Sequence, residues 1–244
     1  MKNKSRFYKL YIKRLIIRIV ILLITISIYI LKPNSFNVAK GFNMLKEFSL
    51  LDILWLIWMF DMIFQLCKVP KYLPLGSQKY LATRYISESK LLDKKIIKKN
   101  KKKMIEDSIS VAIVWIIFVT IIDMLYINGN ISYEIVIPIS TIFYVCDIIC
   151  VIGWCPFKNL IMHNKCCTTC RIFNWDHAMM FLPLIAIPGL WTYSLVAVSL
   201  IVLVIWEIAC IRYPERFIEK TNCALRCNNC KDRLCGKDDL KVLN

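Results

Sequence analysis

Residues 178–211 read AMMFLPLIAIPGLWTYSLVAVSLIVLVIWEIACI, 34 residues with one acid, Glu207, and no base. A helix that is apolar all round has no solvent face to offer, and runs of this length belong in lipid. One span needs about 20 residues, so the run is too long for one ordinary span and short for two. Pro188 and Gly189 break it near its first third, as that dipeptide does in helical sequence. It therefore reads as a short helix to about Ile187, a turn, and a long helix from about Trp191 to Ile211. A re-entrant first limb is the other reading, and it leaves the termini on the same sides.

Working outward, four more apolar runs appear: about Leu15–Leu31, Phe48–Leu66, Ser108–Ile127 and Ile135–Ile152. The first follows a basic start, but it is longer than a signal-peptide core and no small-x-small cleavage site follows it, so it reads as a retained anchor. Arg18, near its beginning, is expected to snorkel back to the headgroups. The fold class is all-α: a polytopic membrane helix bundle of about six transmembrane helices with a small Cys-rich cytoplasmic cap. The expected segments are 1–66 (basic flank and two spans), 67–107 (basic loop), 108–152 (two spans), 153–177 (Cys-rich loop), 178–211 (a hairpin) and 212–244 (Cys-rich tail).

Charge sets the orientation. The chain carries 33 Lys and Arg against 17 Asp and Glu. With the N-terminus in the cytoplasm and six alternating spans, 30 of the 33 bases fall inside and only Lys32, Lys40 and Lys46 outside, as the positive-inside rule requires. The same bias explains the net charge of +16 through anionic lipid headgroups rather than nucleic acid. In residues 68–107, Leu81, Tyr85, Leu92 and Ile96 allow one apolar helical face, so a basic amphipathic helix on the membrane surface and a solvated loop are both open.

Eight of the twelve cysteines form two polar clusters: Cys155, Cys166, Cys167 and Cys170, then Cys223, Cys227, Cys230 and Cys235. Both fall on the cytoplasmic side, where thiols stay reduced and disulfides are a poor explanation. Dense thiols at short spacing in that compartment point to metal. A Cys-x-x-Cys turn places two thiolates on one tetrahedral edge, and Cys167–Cys170 and Cys227–Cys230 are such pairs. They can share one zinc, or each cluster can hold its own four-thiolate site; four thiolates suit zinc and a [4Fe–4S] cluster alike. His163 is a substitute ligand, and Asp176, after Trp175 and before His177, reads as the N-cap of the fifth helix.

Asp61, Asp123, Asp147 and Glu207 fall within the runs. Asp61, Asp147 and Glu207 lie toward the cytoplasmic third, and Asp147/Cys150 and Glu207/Cys210 share helix faces at a spacing of three. With no base expected in that layer, a cation or shared protons would have to balance them. The expected function is that of a membrane protein with thiolate metal sites that handles or senses a transition metal. A redox protein using Fe–S centres and a zinc-stapled interaction protein with a cytoplasmic partner are the alternatives. No nucleophile–base pair, phosphate loop or cofactor fingerprint appears.

Overall fold

A computed structural model describes residues 5–46, 48–67, 72–87, 94–164, 166–230, 232 and 234. These residues are helical, with no strand among them. Four helices are long and apolar enough to cross a bilayer: α1 (Arg6–Leu31), α4 (Lys94–Ile127, from Ile97 on), α5 (Tyr133–Ile152) and α7 (Leu190–Arg212). They alternate with α2 (Leu50–Leu66), the short α3 (Leu75–Gln78) and the six-residue α6 (Asp176–Phe181). The surface supports membrane residence independently of length. Ile16, Ile17, Leu23, Ile113, Ile116, Ile117, Ile121 and Ile201 are all about half exposed, an outward apolar face that water penalises and lipid accepts.

Local sequence explains the helix starts. Ser5 accepts the Tyr8 N–H and opens α1. Ser49 and Asp52 form a reciprocal capping box at α2, which accounts for the burial of Asp52 at a helix end. At α6 the expectation fails. Asp176 is the first helical residue and Trp175 occupies the cap without a side-chain bond, because the Asp176 carboxylate is engaged elsewhere. The basic segment also differs from both expectations. Residues 94–107 are the first turns of α4, and Leu92 lies outside the described residues. At 1.5 Å per residue, α4 is about 51 Å long, which exceeds a hydrocarbon layer of about 30 Å. Its lysine-rich turns therefore extend past the apolar part, and Lys101 Nζ donates to the Ile211 carbonyl at the end of α7.

The connections collect at two ends. At one, Ser5 donates to the Asp232 carbonyl, Ser87 pairs with Asn222, Asn174 donates to the Ser77 carbonyl, and Arg216 to that of Tyr80. At the other, Gly41 exchanges backbone bonds with Pro188 and Leu190, and Tyr133 donates to Asn37. Between them lies one core centred on Trp58, which meets Phe181, Trp191 and Tyr144 at ring distances of 5.2, 5.8 and 6.2 Å. α1 packs along α5, and α7 packs on α2 and α6. α4 packs on the turns Phe157–Ile161, Leu182–Leu184 and Pro214–Arg216, and its Trp115 and Phe118 meet Phe143 of α5 at ring distances of 5.0 and 5.8 Å.

Candidate functional site: a buried ion cluster beside a thiol-lined cavity

Four elements converge on Arg18, which is 7% exposed. Its guanidinium donates to Asp147 Oδ2 at 2.8 Å, to Asp61 Oδ2 at 3.2 Å and to the Tyr144 carbonyl at 2.6 Å, and it lies 3.7 Å above the Tyr144 ring. Asp61 also accepts the Tyr144 hydroxyl at 3.1 Å and stands 3.5 Å from His177 Nε2. On the other side of the imidazole, Asp176 Oδ2 is 3.3 Å from Nδ1, and Gln65 donates to Asp176 Oδ1. One guanidinium, one imidazole and three carboxylates thus share a site inside apolar helices. Such residues mark function or a tightly paired polar network, since lipid gives unpaired charge no relief.

This corrects two expectations. Arg18 does not snorkel; it is buried and paired. The layer of the acids does contain bases, so no cation is needed to balance Asp61 and Asp147. Glu207 belongs to a different group. It accepts from Arg171, in a very short contact, and from Trp175 Nε1 at 2.8 Å. Arg171 Nε in turn donates to Ser108.

The thiols are divided between two places. Cys155, Cys167 and Cys170 line a cavity of about 130 Å³ together with Cys146 and Cys150 of α5, Met179 and Met180 of α6, and Trp115 of α4. Asp147 and Asp176 form part of the same wall. The Cys155 sulfur accepts from the Lys158 N–H at 3.4 Å. The neighbouring Cys150 thiol and the backbone N–H groups of Lys158 and Phe157 hold the Cys155 thiol below its ordinary range against the effect of burial. Lys158 Nζ lies 3.6 Å from the Cys167 sulfur. Cys170 is buried against Met162, and burial pushes its thiol up to about 12.

Cys166 does not line this cavity, although it adjoins Cys167. The Cys227 thiol is raised, chiefly by burial and secondarily by the negative charge of Cys166, Glu219 and Cys230. Cys223 is half-buried, with its N–H donating to the Ile86 carbonyl. Cys235 lies outside the described residues. Among the described residues, no three His, Cys, Asp or Glu side chains stand in positions to hold a metal ion. The loops around both places are pinned by Lys79, fully buried, whose Nζ donates to the Thr168 and Cys170 carbonyls at 2.9 and 2.6 Å.

Sequence reading missed Arg18, Tyr144, Gln65, Asp176 and His177 as members of the ion cluster. The signal available was a base in one apolar run matched in depth by acids in two others. No family model, curated protein or solved structure matches this chain.

Proposed function

We propose that the chain is a membrane protein that crosses the bilayer six times and keeps its loop-rich end in the cytoplasm. There, in this reading, loop and tail cysteines, Cys166, Cys227 and Cys230 among them, close on a transition metal from positions that do not themselves form a metal site. The crossings are α1, α2, α4, α5, the short limb 176–187 and α7. The positions of the connections at two ends and the 30 bases on the inner side support this reading, as does the outward apolar surface.

The observation that supports the metal assignment is the short spacing of the loop and tail cysteines, Cys166, Cys167 and Cys170 and then Cys227 and Cys230, in segments that the charge division places on the inner side. Thiolates brought together in a reducing compartment suit zinc or an iron–sulfur cluster. Metal capture and closure of the tail are then a single event, which suits sensing or buffering of the metal. The test is metal analysis of anaerobically purified protein. Stoichiometric zinc, or iron with acid-labile sulfide and a brown colour, supports the reading and separates the two metals. Cys166→Ser and Cys230→Ser should each lower bound metal about tenfold or more, because an incomplete structural site binds weakly, whereas exposed Cys67→Ser should not. Metal-free wild-type protein overturns the assignment.

A further inference from the structure

Asp232 and Leu234 of the tail lie against the loop-rich end of the ion cluster, a placement that the metal reading does not use. A cavity of about 30 Å³ lies there, with Asp61, Asp147, Asp176 and His177 in its wall beside Gln65 and Ser77. That is room for one or two water molecules in a polar setting. His177 and Gln65 are both buried, and Gln65 Oε1 has no hydrogen-bond partner among the described residues. Toward the loops the wall is made by Tyr11 of α1, Ile148 and Val151 of α5, and Leu73. Leu234, 2% exposed, is buried in one cluster with Tyr11, Ile148 and Val151. Two residues earlier, Asp232 is held from two sides. Its carboxylate accepts the N–H of Leu75, which stands between the wall residues Leu73 and Ser77. Its backbone carbonyl accepts the Ser5 hydroxyl at 2.6 Å. Arg14, also in the wall, donates to the Tyr72 carbonyl at 3.3 Å and ties α1 to the same loop.

We infer that this part of the tail is a plug: docked, it closes the cavity at the loop-rich end and keeps the ion cluster dry, and released, it admits water and protons to Asp61, Asp176 and His177. The cluster gives the plug its consequence. Attraction between buried charges is several times stronger than in water, so the pairing of Arg18 and His177 with the carboxylates depends on exclusion of solvent. His177 stands 3.5 Å from Asp61 of α2 and 3.3 Å from Asp176 of α6. Behind Asp61 are Arg18 of α1 and the Tyr144 hydroxyl of α5, and Arg18 reaches on to Asp147 of α5. Water beside these groups weakens the pairs and opens proton exchange at the imidazole. The other approach to His177 is occupied by the aromatic core. Phe181 lies 6.3 Å from the imidazole, with Trp58 packed on Phe181 at 5.2 Å. Access therefore runs from the loop-rich end, where the tail sits.

The test is deuterium exchange at the imidazole Cε1–H, read by mass spectrometry on the full chain in lipid discs at one fixed pH. The probe is D2O, so nothing larger than water has to enter. The chain has two histidines, and exposed His163 is the internal reference. In wild-type protein His177 should exchange far more slowly than His163. Asp232→Ala and Leu234→Asp should each speed His177 about tenfold or more, the shift in docking expected from losing a hydrogen bond to a carboxylate or from burying an unpaired charge. His163 should not change. Asp232→Asn keeps an acceptor for Leu75 and should stay near wild type. Amide exchange at Leu75 reads docking directly, and it should be slow in wild type and in Asp232→Asn and fast in Asp232→Ala. If Leu234→Asp also strips amide protection from α1 and α5, Leu234→Ala, which adds no charge, takes its place with the same direction expected. Wild-type His177 exchanging as fast as His163 overturns the plug. So do variants that free the Leu75 amide without speeding His177. Measuring after chelator treatment keeps this outcome separate from that of the metal assignment.

Discussion

Arg18 holds together carboxylates from two other helices, and its removal leaves both without their counter-ion. Breaking a buried pair by deleting one partner costs far more than replacing the whole set with neutral groups. Arg18→Met should therefore lower unfolding stability in detergent by about 3 kcal/mol or more. The triple variant with Asp61→Asn and Asp147→Asn should recover most of that loss. If the single variant is as stable as wild type, the cluster is solvated and the packing described above is incorrect. Lys79 gives a pH signature at the loop-rich end. Burial pushes its ammonium down to about 8 from an ordinary 10.5. Between those values the unfolded chain binds more protons than the folded one, so this group makes stability rise with pH across that window and contributes no slope below it. Thermal unfolding at about pH 7.5 and about pH 9.5 should show the gain in wild type, and Lys79→Met should remove it. Residue types were legible in the sequence here, but pairings were not. Arg18 at the edge of an apolar run is compatible with snorkelling or burial, and the choice is made by Asp61 and Asp147, 43 and 129 positions away.

Among the elements, the long apolar helices were legible because hydrophobic length is a local property. The start of α4 was not. Lysine-rich sequence suggested a separate surface segment, yet no Gly or Pro interrupts residues 77–128, and lysine is a good helix former. The absence of a breaker was the signal for a helix continuing from Lys94. The short helix expected to run to about Ile187 is α6, which ends at Phe181 and passes into the Leu182–Leu184 turn, and the anchor beyond it was not legible. Gly189 begins α7 where a Cβ would stand 1.9 Å from the Ala39 carbonyl oxygen, because the Gly41 backbone bonds to both Pro188 and Leu190. Gly189→Ala must push apart two backbone segments and should cost about 2 kcal/mol or more in unfolding experiments. Gly153→Ala, whose nearest neighbour is 3.1 Å away, is a milder control. Equal stability of the two variants would mean that the 41–189 contact is absent.

For the whole molecule, the proposed sidedness rests on two independent properties. The bases divide 30 to 3 under six crossings, and the segments that hold most of them are tied to one another. Ser5 reaches Asp232, Ser77 is met by Asn174, and Tyr80 by Arg216. Residues Ser5 and Asp232 and the loops 72–87 and 153–175 therefore meet at one end of the helices. Under the six crossings proposed above, the positive-inside rule would place that end in the cytoplasm. The limb 176–187 decides the outcome, because it spans fewer residues than a bilayer needs. Its return to Gly41, next to the Pro33–Ala39 turn, carries the chain to the opposite end all the same. Reporter fusions after Asn43 and after Asn130 should be external, and fusions at Asn244 internal. A fusion at Asn244 that reports outside would make the limb a dead end and place Cys227 and Cys230 in an oxidising compartment. The thiolate metal site would then lose its chemical basis. Internal reporters at Asn244 with external ones at Asn43 and Asn130 leave six crossings as the arrangement that satisfies both the charges and the contacts.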